Sequence, residues 1–391
     1  MSSDSKDQLA YVLINPYTIY KSRTGGVIAR LFTRTALDLV AARMFAPSRE
    51  LADEYAGTIV TAATGQDRRI QLLIRQYIME NYAPDHTTGR RRRVMMLVFR
   101  GEDAAKKIRA AVGQIEPGRG AAGETIRDTY GDFILTPDNQ VRYFEPAVLA
   151  APAAEHVEER LRIWAKYSDT DGGFLENVVQ YPKTAKIQQT LVLLKPDNFR
   201  FPSARPGSIV DLISRTGLCI IAIKVHHMSV EDAREFYDPV REALPAVYAG
   251  ITGPRAKAAL EKEFGHELPA GMEKKLGEML APHAAEHQFN RIVNFMTGLT
   301  ADQEPSSDPG KIVALVYEGP DAVTKIRGVL GATDPRKAAP GTIRRELGQD
   351  VMVNAAHASD SPENAQREMK IINIRENNLK PLVEQFYQCK L

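Results

Sequence analysis

The sequence is poor in several features that would each have decided its class. Only two cysteines, Cys219 and Cys389, occur among 391 residues, too few for a disulfide framework, so the expected compartment is reducing and Cys219, inside an apolar run, reads as a small buried thiol. Neither sign of charge is in excess, with 51 Lys and Arg against 49 Asp and Glu, and the charge balance points to no polyanionic partner. No apolar run approaches the roughly 20 residues that cross a bilayer, and the opening MSSDSKDQL lacks the basic and apolar regions of a signal peptide. The expected location is the cytoplasm, with no membrane partner. GxGxxG and GxxxxGK[ST] loops are missing, so a bound nucleotide would be held by another device. What is present is the 43% hydrophobic and 26% charged composition of a globular protein, long enough for two domains.

An internal repeat organises the chain. Residues 10 to 17, AYVLINPY, and 190 to 197, TLVLLKPD, are each a strand-like apolar run closed by a polar residue and a proline, which a central strand excludes. Residues 25 to 56 then parallel 207 to 238. In the second copy Ile209, Leu212 and Ile213 recur at helical spacing, Leu218 to Val225 is strand-like, and Ser229 ahead of Glu231 and Asp232 has the form of a helix N-cap. Further on, VMMLVFRGEDAAKKIRAAVG (94 to 113) parallels IVALVYEGPDAVTKIRGVLG (312 to 331), ETIR (124 to 127) parallels GTIR (341 to 344), and AEHVEERLRIW parallels PENAQREMKII as a last helix.

These matches divide the chain into a first domain over 1–165, a linker over 166–187, a second domain over 188–372 and a tail over 373–391. An insertion over about 240–288 is rich in Ala, Glu, Lys and Leu and reads as a solvated helical pair. The run Arg90 to Arg93 reads as a solvated strand edge rather than a nucleic-acid surface. The predicted fold class is α/β, in form an α+β sandwich: two ferredoxin-like split βαβ domains, each with an antiparallel sheet covered by helices.

Among eight histidines, His226, His227, His283 and His287 could be imagined around a metal, but no carboxylate or cysteine spacing supports it. His357 stands apart. It lies in NAAHASDS, small and polar residues with little core value, directly before a helix that carries Glu368. A carboxylate brought back to one imidazole nitrogen selects the tautomer and prepares the other to attack.

TLVLLKPD, GSIVDLI, ALVYEGPDAV, KIRGVLGATDP, KAAPGTIRREL and NAAHASDSPENAQREM, in this order over residues 188 to 372, together resemble a nucleoside diphosphate kinase. The resemblance implies a ping-pong enzyme that moves the γ-phosphate of ATP or another nucleoside triphosphate, with Mg2+ on the phosphates, to His357 and then to a nucleoside diphosphate. It further implies that Lys195 and Asn354 contact the sugar hydroxyls, that Phe289 stacks on the base without selecting it, and that Arg327, Thr333 and Arg344 contact phosphates. Tyr237, Ser359 and Glu368 would surround the histidine. No metal ligand from the protein is implied. Ala358 stands where the family has glycine; if that position needs positive φ, alanine is strained there by about 1 kcal/mol.

The first copy departs at the chemistry. Leu149 aligns with His357, Pro146 with Asn354 and Asn15 with Lys195, whereas Arg109 and Arg127 align with Arg327 and Arg344. It reads as a pseudo-domain that stands in for a partner subunit in a pseudo-dimer, and the family's habit implies a further homo-oligomer. Two other readings remain open: a weakly active nucleotide sensor or scaffold, and a histidine phosphocarrier acting on a protein.

Overall fold

The computed structural model describes residues 7–62, 64–115, 123–138, 141–299 and 310–391. The first half runs β1 (Asp7–Ile14), α1 (Pro16–Tyr20), α2 (Thr24–Thr35), β2 (Asp38–Phe45), α3 (Arg49–Gly57), α4 (Gly65–Asn81), β3 (Val94–Glu102), α5 (Ala104–Val112), α6 (Ile126–Tyr130), β4 (Asp132–Leu135), β5 (Val141–Glu145), β6 (Val148–Ala150) and α7 (Val157–Lys166). The second runs β7 (Ile187–Leu194), α8 (Arg205–Ser214), β8 (Cys219–His227), α9 (Val230–Phe236), α10 (Asp238–Phe264), α11 (Met272–Thr297), β9 (Lys311–Pro320), α12 (Ala322–Leu330), α13 (Ile343–Leu347), β10 (Ala356–Ala358), α14 (Pro362–Ile371) and α15 (Leu379–Tyr387). The two main sheets have the orders β2-β3-β1-β6 and β8-β9-β7-β10, the same order in corresponding strands and the ferredoxin-like one. Pairings of β1 with β3 and β6, and of β7 with β9 and β10, are antiparallel.

The repeat extends to backbone details that sequence periodicity does not encode. Asp103 and Asp321 both take left-handed φ, 54° and 55°, just before α5 and α12. Ala147 and Ala355 do the same, at 59° and 69°, immediately before β6 and β10. The capping motif read at Ser229 is present, its side chain accepting from the Asp232 N–H ahead of α9.

Helices α2 and α8 join the halves. A Cβ on Gly25 would lie 2.5 Å from the Gly207 carbonyl oxygen, and one on Gly207 would lie 2.3 Å from the Gly25 carbonyl oxygen. This reciprocal approach of two backbones is a pseudo-twofold contact, with Phe32 of α2 tilted against Phe199 at 5.8 Å between ring centres. One apolar core runs through the contact, from Val27, Ile28 and Leu31 to Ile209, Val210 and Ile213.

The segment after α7 is stitched rather than loose. Gly173 N–H donates to the Met44 carbonyl and Leu175 N–H to the Ile221 carbonyl, so the connection adds backbone bonds to β2 and to β8. The arginine run abuts β3 with Arg90 and Arg91 exposed, as read in the sequence, and is also paired: Arg91 with Asp171 at 3.4 Å, Arg92 with Asp85 at 3.6 Å, while Arg93 donates to the Ile220 carbonyl at 2.7 Å. Cys219 is only half-buried, because it begins β8 rather than sitting inside it. The tail forms α15, whose Leu379 and Val383 are fully buried with the first half's aromatic core.

Residues 226–312 form a separate compact unit. Within it α10 and α11 are an antiparallel hairpin, the helical pair expected of the insertion, packed so closely that a Cβ on Gly253 would lie 2.0 Å from the Glu273 carbonyl oxygen. No described helix is long and apolar enough to cross a membrane.

Candidate active site in the second half

Strand β10 is an edge strand only three residues long, and its central residue is His357, opposite Leu193 of β7. Ala356 and Ala358 are buried on one side of it while His357 is partly exposed on the other. The next turn ends at Ser361, whose hydroxyl accepts from the Asn364 N–H, with Pro362 opening α14. The buried stripe of α14 holds Ala365, Glu368 and Met369. That stripe returns Glu368 to the histidine: Oε2 lies 3.0 Å from His357 Nε2 and accepts from Ser359 Oγ at 2.6 Å. Glu368 is 5% exposed and Ser359 0%, so the carboxylate is held in a poorly solvated setting where hydrogen bonds to charge are strong.

Beside this cluster lies a second network. Lys195 Nζ donates to Asn354 Oδ1 at 2.8 Å and to the Met352 carbonyl at 2.9 Å, and Asn354 Nδ2 donates to the Thr333 carbonyl at 3.1 Å. Burial, reinforced by the Arg344 charge, lowers the Lys195 amine to about 8. Arg344 donates through Nη1 to the Gly331 carbonyl and through Nη2 to the Ala356 carbonyl, both at 3.1 Å. Arg327, in the last turn of α12, and Thr333 are exposed. Lys195, Asn354 and the Thr333 carbonyl thus form one connected set and His357, Ser359 and Glu368 another, while Arg344 binds the Ala356 carbonyl in the backbone between Asn354 and His357.

Phe289 and Tyr237 belong to the 226–312 unit. Tyr237 is buried beside Phe236, and Phe289 is 0% exposed, with the guanidinium carbons of Arg234 and Arg241 at 5.9 and 5.3 Å from its ring centre. Arg241 is in turn held by Glu286 at 3.1 Å. Among the described residues no group of three or more His, Cys, Asp or Glu side chains could hold a metal ion.

Two contributors escape sequence reasoning. The left-handed residue is Ala355, not Ala358, which lies in regular strand; an alanine offers no signal for such a turn. Asn198, in the turn after β7, is 1% exposed and donates from Nδ2 to the Ala355 carbonyl at 2.7 Å.

The equivalent place in the first half is filled. Leu149 pairs with Leu13 as His357 pairs with Leu193. Tyr82 donates to Asn15 Oδ1 at 2.6 Å, Asn15 Nδ2 donates to Glu145 at 3.1 Å, and Tyr77 donates to Glu145 at 2.7 Å. Burial raises the Glu145 carboxyl, and Tyr55, Tyr82 and Trp164 pack on one another in the buried aromatic core of this half. Arg109 is tied to the Pro152 carbonyl. Arg127 donates to the Gly113 and Val148 carbonyls, at 2.8 and 3.1 Å, and burial lowers it to about 10.

A nucleoside diphosphate kinase family model matches residues 270–377. The nucleoside diphosphate kinase of Campylobacter fetus subsp. fetus is 31% identical over 183 residues, 47% of this chain and 93% of that protein. Those of Thermobifida fusca and Chlamydia abortus are 31% and 30% identical over 185 and 179 residues, covering 96% and 87% of those proteins. A crystal structure of the Aquifex aeolicus nucleoside diphosphate kinase is 28% identical and covers 50% of this chain and 99% of that one, with a TM-score of 0.31. Sheet order and relatives together define an α/β sandwich of the phosphotransferase class. The chain belongs to the nucleoside diphosphate kinase family.

Proposed function

We propose that the chain is a nucleoside diphosphate kinase working by ping-pong transfer through His357, with a first half that supplies structure and no chemistry. The observation that carries this is the bond between His357 Nε2 and a buried Glu368 that Ser359 also holds. With Nε2 engaged by the carboxylate, the attacking nitrogen is Nδ1. It takes the γ-phosphoryl group of a nucleoside triphosphate, the bond to the bridging oxygen breaks, and the diphosphate leaves. A β-phosphate oxygen of a second nucleoside diphosphate then takes the group and restores the imidazole. Glu368 stabilises the imidazolium that forms between the two steps.

Phosphoryl transfer is chiefly positioning and cationic stabilisation of the equatorial oxygens. Arg327 and Arg344 are the cations for that role, with Thr333 as a further phosphate contact. Lys195 and Asn354 form a preset polar edge for the sugar hydroxyls. The donor set is cationic and suits phosphate, so magnesium enters as part of the nucleotide substrate. Tyr237 is assigned to the surroundings of the histidine. Phe289 serves as the base platform only if Arg234 and Arg241 swing off its ring. The pseudo-dimer of halves is the unit from which a larger homo-oligomer is built.

Protein mixed with γ-labelled ATP and magnesium is expected to take up acid-labile label, to pass it to GDP, and to lose both properties in His357→Ala. Nucleotide binding without label would make the chain a sensor or scaffold; label passing only to a polypeptide would make it a phosphocarrier.

A further inference from the structure

The turn that aims His357 is strained, and it occurs twice. In the second half Ala356 N–H donates to the Asn354 carbonyl at 2.8 Å around Ala355, whose φ is 69°. In the first, Val148 N–H donates to the Pro146 carbonyl around Ala147, whose φ is 59°. A side chain with a Cβ disfavours this region, and such three-residue turns persist only where the surroundings hold them.

The holding groups recur as well. The alanine carbonyl is gripped by a side chain from the short helical segment after the first strand of each half: Asn198 Nδ2 to Ala355 at 2.7 Å, and Thr18 Oγ1 of α1 to Ala147 at 2.8 Å. The next carbonyl, that of Ala356 or Val148, accepts from an arginine whose other nitrogen donates to the glycine closing the preceding helix. These arginines are Arg344 and Arg127. The first half has lost the histidine, and Arg160 stands at the place of the carboxylate, yet it keeps this clamp with the same pair of carbonyls. A group needed only for phosphate has no reason to remain there.

We infer that Arg344 is a positioning residue for His357: its guanidinium pins the residue before the histidine to the end of α12 and holds the strained turn at Ala355 closed. Any phosphate contact by Arg344 is additional to this role. The inference rests on His357 being the phosphate carrier, but the geometry it describes does not.

The test compares wild type, Arg344→Gln, Ala355→Gly and the double variant. Single-turnover labelling of His357 at saturating magnesium-ATP is measured separately from ADP affinity. Arg344→Gln is expected to slow labelling at saturation by at least 10-fold. Glycine tolerates the turn without the clamp, so Ala355→Gly in the Arg344→Gln background is expected to recover most of that rate. No recovery, with the whole loss appearing in nucleotide affinity, overturns the clamp in favour of a simple phosphate ligand. If wild type takes no label, the kinase reading fails by itself, and the clamp is decided by the pH titration of the His357 imidazole in 15N-histidine-labelled protein. Arg344→Gln is then expected to displace that titration and Ala355→Gly to return it, whereas coincident curves for all four proteins refute the clamp.

Discussion

Where the second half carries His357 the first carries Leu149, and the residues around these two positions have diverged in opposite directions. Around His357, which stays partly exposed, polar groups remain bonded to one another at the sheet edge: Glu368 and Ser359 on one side, Lys195 and Asn354 on the other, with Arg327 exposed. Around Leu149 the region is closed, with Asn15, Glu145, Tyr77 and Tyr82 all buried. Asn15 replaces the lysine, and its two amide atoms are consumed by Tyr82 and Glu145. Arg160 stands where Glu368 does and donates to the Thr58 carbonyl at 2.8 Å. A cleft without a ligand to receive is a liability, because buried polar groups without partners cost free energy and voids forfeit contacts. In the first half Tyr77, Tyr82 and Glu145 occupy this region as buried, mutually bonded core. What the halves still share, the sheet order, the left-handed alanines, the arginine clamp and the crossed glycines, is therefore what the fold itself requires.

That division can be broken first at the shared contact. Gly25→Leu places a side chain into the α8 backbone, a clash with no flexible partner to yield. It should cost on the order of 4 kcal/mol or more, seen as loss of a single cooperative melting transition. A variant within about 1 kcal/mol of wild type would mean that the halves are not joined through α2 and α8.

The next largest effect sharpens the difference between Lys195 and Asn15. The buried Lys195 amine sits at about 8, against roughly 10.4 in an unfolded chain. Between these values the unfolded chain binds more protons, so stability rises with pH across that window and is lowest, on this account, below about 8. The span corresponds to on the order of 3 kcal/mol. Lys311, also lowered by burial to about 8, adds a second share. Lys195→Gln should therefore flatten part of the rise in urea-unfolding free energy between pH 7.5 and 10.5. An undiminished rise would show that Lys195 is solvated.

The smallest effect falls in the filled cleft. Tyr82→Phe leaves Asn15 Oδ1 without its donor and should cost about 1 to 2 kcal/mol by chemical denaturation. Labelling of His357 should remain at the wild-type rate, and a clear drop in that rate would show that the first half takes part in the chemistry.

The sequence made the repeat, the element order and the histidine with its carboxylate legible. Apolar periodicity survives in the strands and Ser229 and Pro362 mark helix starts, but NAAHASDS, read as having little core value, buries Ala355, Ala356 and Ala358 in the core because its three-residue strand pairs with β7. It did not reveal Ala355, since nothing in an alanine announces positive φ. Nor did it reveal that Arg91 and Arg93 bind Asp171 and the Ile220 carbonyl, groups distant in sequence, or that Tyr77 and Tyr82 bind Glu145 and Asn15 from 68 and 67 residues away.

Local chemistry thus determined what each segment could become: a strand ending at a proline, a capped helix, a histidine eleven residues before a glutamate. Only the tertiary structure decided which of two sandwiches with the same sheet order keeps its edge-strand position partly exposed. That difference depends on which side chains distant in sequence fold over each position: Tyr77 and Tyr82 bind the buried Glu145 and Asn15 in the first half, whereas His357 stays partly exposed in the second. Periodicity, which reports one segment at a time, carries no information about such partners.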